Sequence, residues 1–484
     1  MDKKMFVIEE NFPIKEAMKM IRKNAKGFVV AIDKKGIVKG VLTDGDIRKA
    51  LITDKTVESK IKDAMQKDFI SETTDTPETE ILSKLNTQIK FIPILNPDKT
   101  LNKILHIDNY YEYQMRTEFV PIFKPYLAGN EKKYLMECID TGWISSQGSF
   151  VKRFESCFAN YIGTKYAASA SNCTTALHLA LVALDIGPGD EVLCPNLTFI
   201  APANMISLTG AKVVLVDSEK ETWAMSPELI KKAITPKTKA ILLVHPFGHC
   251  AKMDEIAKIC KKHNLYLIED VAEAIGGKYK GQMLGTFGDI ACYSFFGNKV
   301  ITSGEGGMIV TNNEKLWIKC EELRDHGMAK EKKYYYKYKG YNYRMTNMQA
   351  AIGLAQLEEI ETILKIRSRQ NAFYRECLGN TAHYYSRPIQ SWCSYIPWLT
   401  TITLKKKDTR DKLIEYLKSQ GVDARQMVLP ISGSYPYRAI AKGKFPVSCE
   451  ISYNSLHLPS STGLSEEQII YIVEKVRKGI QHIG

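Results

Sequence analysis

Residues Ser294–Gly307 read SFFGNKVITSGEGG, with one lysine, Lys299, set between an apolar run and a string of hydroxyls and glycines. A buried ammonium is costly unless a neighbour shares its charge or its nitrogen has become an imine. Upstream, LYLIED (Leu265–Asp270) is a strand-like run ending in two acids, Glu269 and Asp270, 29 residues before the lysine. Acids at the carboxyl end of a parallel strand stand where α/β proteins build sites. Alternatively, such a residue only caps the next helix.

The pattern around this stretch repeats. KVVLVD (212–217) and AILLVH (240–245) are further apolar strands, separated by amphipathic segments such as MDEIAKICKKH (253–263). That alternation predicts a mostly parallel sheet with helices on both faces. SNCTTALHLAL (171–181) is a polar turn opening an apolar helix, where free N–H groups with Thr174 and Thr175 suit a phosphate or only cap the helix. MTNMQAAIGLAQLEEIETILKIRSRQNAFYRECL (345–378) predicts one long amphipathic helical region leading to a smaller C-terminal α+β part. Asn342 and Arg344 are polar residues just before it.

The first 115 residues are different. IKEAMKMIRKNAKGFVVAIDKKGIVKGVLTDGDIRKAL (14–51) reads helix, strand, turn, strand, helix, and the same order returns about 63 residues later. Phe28 then aligns with Phe91 and Asp46 with Asn109, as expected of two copies of one small α/β unit. A tyrosine-rich connector, NYYEYQMRTEF (109–119), joins this part to the rest.

Composition excludes several classes. The chain has 484 residues, so two or three domains are expected. Its net charge of +13 is scattered without a basic stripe, which argues against nucleic acid and suits an anionic small substrate. No apolar window reaches a membrane span, and MDKKMFVIEENFPIK lacks the apolar core of a signal peptide, so a cytoplasmic location is expected. Eleven cysteines without CxxC spacing read as reduced thiols, and no metal site is expected.

GVLTDGDIRKAL (40–51) resembles the tandem CBS family, whose Gly-x-x-Thr-x-x-Asp element binds an adenosine-type nucleotide. The resemblance places that role on Thr43 and Asp46; the second copy has His106 and Asn109 instead. A pair that only mediates assembly, to a higher oligomer, is the alternative. From about residue 120 to the end, SFFGNK…GEGGM, LRDHGM and GYNYRMTNMQAAIGLAQLE resemble the DegT/DnrJ/EryC1/StrS aminotransferases. These are fold type I enzymes that use pyridoxal 5′-phosphate. Within the family the strings are most similar to those of the GDP-perosamine synthases.

The resemblance implies a division into a tandem CBS pair (1–115), a large cofactor-binding domain (120–365) and a small C-terminal domain (366–484). It also implies roles. Lys299 matches the lysine that carries the cofactor as an imine and then moves the proton. Asp270 matches the acid that holds a proton on the pyridine nitrogen, which keeps the ring an electron sink. Phe199 matches the aromatic stacked on the ring, and Thr174, Ser294 and the neighbouring subunit's Asn342 match the phosphate cradle, so a homodimer is expected. Cys173 stands where glycine is common, and Glu273 where glutamine commonly meets the phenolic oxygen. A carboxylate there would repel the oxygen, so Glu273 is expected to be protonated or water-bridged.

The implied reaction moves glutamate's amine to a nucleotide-linked 4-keto-6-deoxy hexose, giving 2-oxoglutarate and a 4-amino-4,6-dideoxy sugar. GDP-4-keto-6-deoxy-D-mannose is the first expectation, for a surface glycan such as O-antigen, and a UDP- or dTDP-linked sugar the second. A catalytically silent nucleotide sensor is the rival from another class. Related 3-dehydratases carry histidine at the lysine position, so Lys299 argues against that branch. His245, His326 and the basic aromatic stretch 331–340 are open between substrate contact and ordinary structure.

Overall fold

The computed structural model describes residues 3–76, 81, 84–85, 89–106, 119–439, 441 and 443–483. It divides into two compact units, 1–118 and 119–484. In the first, strands Val7–Glu9, Phe28–Ile32 and Val38–Thr43 form one sheet, with a parallel pair followed by an antiparallel one. Glu72–Thr73, Phe91–Leu95 and Leu101–His106 form a second sheet of the same pattern. Phe28 pairs with Thr43 as Phe91 pairs with His106, and both ladders shift register near their far ends. The rings of Phe28 and Phe91 stack face to face with centroids 3.6 Å apart, and Ile37 bridges Thr100. Repeat-equivalent residues therefore meet one another, as a duplication with an internal two-fold relation requires. Asn109 lies outside the described residues.

The second unit is built on a seven-stranded sheet among the described residues. Its order is Tyr166–Ala170, Gly307–Thr311, Ile290–Ser294, Tyr266–Asp270, Thr238–Val244, Glu191–Pro195 and Lys212–Val216. Gly307–Thr311 is antiparallel to both its neighbours, and the other pairings are parallel. Successive side chains of a strand point to opposite faces. Ile241, Leu243, Leu267 and Ala291 join one core, while Leu242, Val244, Ile268 and Cys292 join the other. Both faces are covered, which is why the strands read as unbroken apolar runs.

The expected single helical region is two helices, Asn347–Glu358 and Ile360–Leu378, the first capped by Thr346 with Gln349. The second is a spine between two cores. Ile360, Ile363 and Leu364 pack with the large sheet, and Tyr374 and Leu378 with a small four-stranded sheet. A boundary at 365/366 falls inside this helix. The small sheet comprises Tyr384–Tyr385, Thr400–Leu404, Ser455–Leu458 and Arg425–Gln426, backed by helices Arg410–Ser419 and Glu466–Ile483. Val120, at the start of the unit, also belongs to this second core and exchanges main-chain hydrogen bonds with Gly421 and Asp423.

Candidate active site

The carboxyl ends of the parallel strands all reach one edge of the large sheet. Asp270 and Ser294 end their strands there, Gly307 begins the antiparallel one, and the helix Cys173–Ala183 starts just past Ala170. The loop after Pro195 brings Thr198 and Phe199 to the same edge. These ends open on a cavity of about 360 Å³ whose walls include Cys173, Thr174, Phe199, Asp270, Glu273, Ser294 and Lys299. Seven residues expected from separate stretches of sequence thus share one chamber.

Lys299 is only 13% exposed in its side chain, and its Nζ lies 3.9 Å from Glu273 Oε1. The same nitrogen sits 3.7 Å from the centre of the Trp398 ring, so an aromatic face and a carboxylate share its charge. Trp398 is fixed in turn, its indole N–H donating to the Asn298 carbonyl at 2.7 Å.

The two acids differ in their surroundings. Asp270 Oδ1 accepts the Ala272 N–H at 3.0 Å, yet burial pushes its carboxyl up to about 6. A cation brought against it would reverse that shift, because an opposite charge favours the ionised form. Burial also raises Glu273, opposed by Lys299, by the Phe247 N–H at 2.8 Å and by Arg387. The neighbouring Glu269 turns away. It accepts the N–H groups of Gly285, Phe287 and Gly288 and meets His245 Nε2 at 3.2 Å, buried throughout. His245 Nδ1 accepts from the Ala251 N–H, which leaves its proton on Nε2. This histidine is a structural brace.

The helix at Cys173 begins with Asn172 and Thr175 in a reciprocal cap. Asn172 Oδ1 accepts the Thr175 N–H, so the N–H groups of Cys173 and Thr174, in the chamber wall, are free of that cap. Uncapped N–H groups at a helix start suit an anion. Ser294 Oγ lies on the same edge, accepting from the Phe296 N–H at 3.3 Å. Cys173 is buried and its thiol is raised well above its ordinary value by burial, which keeps it uncharged at the helix start. Phe199 is 59% exposed at the mouth.

Other expected residues lie elsewhere. Asn342 is exposed and is not in the chamber wall of its own chain; Arg344 donates to it at 3.0 Å. His326 is exposed beside Asp325. In 331–340, Lys337 pairs with Glu322 and Glu331, which fixes part of that stretch to its own subunit. In the N-terminal unit, Thr43 and Asp46 form the cap of helix Asp44–Ile52, with Thr43 Oγ1 donating to Asp46 Oδ2 at 2.7 Å and Gln66 to Oδ1 at 2.8 Å.

Sequence reasoning missed Trp398, Asn298, Thr198, Glu305 and Val428, all in the chamber wall. Trp398 and Val428 come from the C-terminal segment and carried no local signal; Asn298 adjoins Lys299, and adjacency was the available clue. Asn298 Oδ1 is buried without a hydrogen-bond partner. An amine, a buried acid, an open helix start and an acceptor lacking a donor fit the pyridine ring, phosphate and polar substituents of pyridoxal phosphate. All eleven cysteines are free thiols. Among the described residues no helix is long and apolar enough to cross a membrane, and no group of three or more His, Cys, Asp or Glu could hold a metal ion.

Comparison with known proteins agrees with this geometry. Residues 125–477 match the DegT/DnrJ/EryC1/StrS aminotransferase family, and residues 1–53 match the CBS domain. A GDP-perosamine synthase of Escherichia coli O157:H7 is 42% identical over 361 residues, 75% of this chain and 98% of the relative. One from Caulobacter vibrioides is 43% identical over 357 residues, 73% of this chain and 96% of the relative. Among solved structures, S. venezuelae DesV in complex with a ketimine intermediate superposes with a TM-score of 0.69 at 31% identity, covering 73% of this chain and 94% of DesV.

Proposed function

This chain belongs to the DegT/DnrJ/EryC1/StrS family of pyridoxal-phosphate-dependent sugar aminotransferases, and from that premise we propose that it converts GDP-4-keto-6-deoxy-D-mannose to GDP-perosamine with L-glutamate as amine donor. The observation that carries the reading is the meeting of Lys299, Asp270, Ser294 and the Thr174 helix start around one chamber. Pyridoxal phosphate, when bound, supplies an electron sink for the carbon that bears the migrating nitrogen.

The chain's own residues do the rest. Lys299 would hold the cofactor, and its Nζ, when free, would serve as the base and acid that moves a proton in the chamber. Asp270 keeps a proton on the ring nitrogen by offering a buried carboxylate. The N–H groups of Cys173 and Thr174, with the hydroxyls of Thr174 and Ser294, would hold the phosphate, and Phe199 would lie against the ring. Asn342 would hold the phosphate in the chamber of a second subunit, which makes a homodimer the proposed working form. Trp398 and Glu273 would keep the Nζ of Lys299 in the chamber whenever it is not bonded to the cofactor. Glutamate gives up its amine, takes up the oxygen of one water and leaves as 2-oxoglutarate; the sugar ketone takes the amine and returns one water, so the exchange has no net water.

The relatives' names favour the guanine nucleotide, and a cytoplasmic step toward a surface glycan such as O-antigen follows from that product. The N-terminal unit is proposed to tune the enzyme by binding an adenosine-type nucleotide at Thr43 and Asp46, which would displace the Gln66 contact. A panel of GDP-, UDP- and dTDP-4-keto-6-deoxy sugars with glutamate, read by product mass, tests the substrate. Turnover restricted to UDP or dTDP substrates refutes the guanine assignment, and no turnover with any of them refutes the substrate class. Equal activity with and without residues 1–115 at every nucleotide tried would remove the regulatory role.

A further inference from the structure

Arg387 belongs to the C-terminal part of the chain and is 6% exposed, packed over the Trp223 ring at 4.7 Å and beside Tyr395 at 5.5 Å. Its guanidinium donates to the main-chain carbonyls of Thr222, Pro246 and Phe247 at 3.3, 2.9 and 3.0 Å. The Pro246 carbonyl and the Phe247 N–H belong to one peptide group. The far end of that same group donates to Glu273 Oε2 at 2.8 Å. A cation therefore grips the oxygen of a peptide whose hydrogen points at a carboxylate in the chamber.

The backbone there is strained in the way such a grip must sustain. Phe247 has φ 50° and ψ 39°, a left-handed conformation unfavourable for a residue with a Cβ. Gly248 follows with φ 83°, and any Cβ on it would collide with the Ile396 carbonyl. Arg387 holds both carbonyls flanking the strained residue, so it fixes the direction of the Phe247 N–H. Chains of hydrogen bonds polarise one another, and a charged donor at one end strengthens the other.

We propose that Arg387 is a positioning residue of the cofactor chamber, acting through the Pro246–Phe247 peptide to orient Glu273 and favour its ionised form. The proposal concerns a side chain of the site described above but does not depend on the substrate assignment. The other charged or titratable groups facing Glu273 are Lys299, which favours its ionised form, and Asp270 and Cys173, which couple to it.

The test uses the full-length protein without cofactor. Infrared spectroscopy follows the carboxylic-acid C=O band that disappears in Glu273→Gln. Arg387→Met is expected to move the midpoint of that band upward by about one pH unit, a tenfold weakening of ionisation. Arg387→Lys keeps a cation but loses the planar fork that spans the Pro246 and Phe247 carbonyls, and a smaller upward shift is expected. In a second readout, Arg387→Met weakens pyridoxal phosphate binding in the wild-type background and has no such effect in the Glu273→Gln background. Folded variants with an unmoved midpoint overturn the proposal, and so does an equal loss of affinity in both backgrounds. A third readout needs no variant at position 387. In selectively labelled wild-type protein, the Phe247 amide and Arg387 guanidinium resonances are expected to titrate with the midpoint of the Glu273 band; resonances indifferent to it overturn the proposal.

Discussion

Replacing Gly307 with alanine tests how the chamber grips an anion. Gly307 opens the antiparallel strand and pairs with both Ser294 and Ala170, so it cannot slide. A Cβ there would lie 2.5 Å from the main-chain carbon and oxygen of Asn172 and 2.7 Å from the Cys173 nitrogen, against ordinary contacts of 3.4–4 Å. All three are backbone atoms of the helix start, so relief requires moving that start by roughly 1 Å. A hydrogen bond stretched by that much from its usual length is lost. Each such bond to a charged group contributes about 1.5–3 kcal/mol, so the dissociation constant of pyridoxal phosphate should rise roughly 10- to 150-fold. Absorbance titration of the cofactor-free protein measures it, with circular dichroism to confirm the fold. The neighbouring Gly306→Ala is the control. Its Cβ would meet the Ser303 hydroxyl and the Met345 methyl, side-chain ends that can turn aside, at the cost of the Ser303–Glu305 bond, about 1 kcal/mol. If Gly307→Ala binds the cofactor as tightly as Gly306→Ala does, the close-approach reasoning is wrong.

Three further outcomes are expected. Lys299→Ala should abolish both the visible colour of the holoenzyme and borohydride trapping of the cofactor while leaving the cofactor-free melting curve near wild type; a trapped adduct at another lysine would contradict the assignment. Asp270 is raised from 3.8 to about 6 by burial, so its destabilising contribution appears as pH rises through that interval. Cofactor-free Asp270→Asn should gain stability over wild type by up to about 3 kcal/mol near pH 7.5 and little near pH 3.5; an advantage independent of pH refutes the burial argument. Phe28→Ala removes one ring of the Phe28–Phe91 stack, and about 3–5 kcal/mol of stability should go with it. Hydrogen exchange should then quicken within residues 1–106, and unchanged protection there would refute a shared core between the two repeats.

Much of the site was legible because its chemistry is written in short, contiguous strings. Lys299, Asp270, Ser294, Phe199 and Thr174 each follow a strand or open a helix, and a parallel sheet delivers such positions to one edge whatever lies between them. The duplication in the first unit was legible for a similar reason, since a fixed offset between equivalent residues survives sequence drift. The glycines of 304–307 were only half legible. Gly304, with φ 83°, makes the expected sharp turn, but Gly307 sits in a strand and is glycine because the Asn172 backbone presses on it. The helix over 345–378 read as continuous because periodicity persists across the break at Glu359.

By itself, then, the sequence determined the order of strands and helices, the duplication, and the residues that strand ends and helix starts bring to one chamber. Those features depend on neighbours along the chain. Tertiary structure decided the rest: that Trp398 lies against Lys299, that His245 braces Glu269 and leaves the chamber to Asp270, and that Arg387 reaches Glu273 through a single peptide. The electrostatics of a buried group come from whatever surrounds it in space, and for these groups the surroundings arrive from segments far away along the chain.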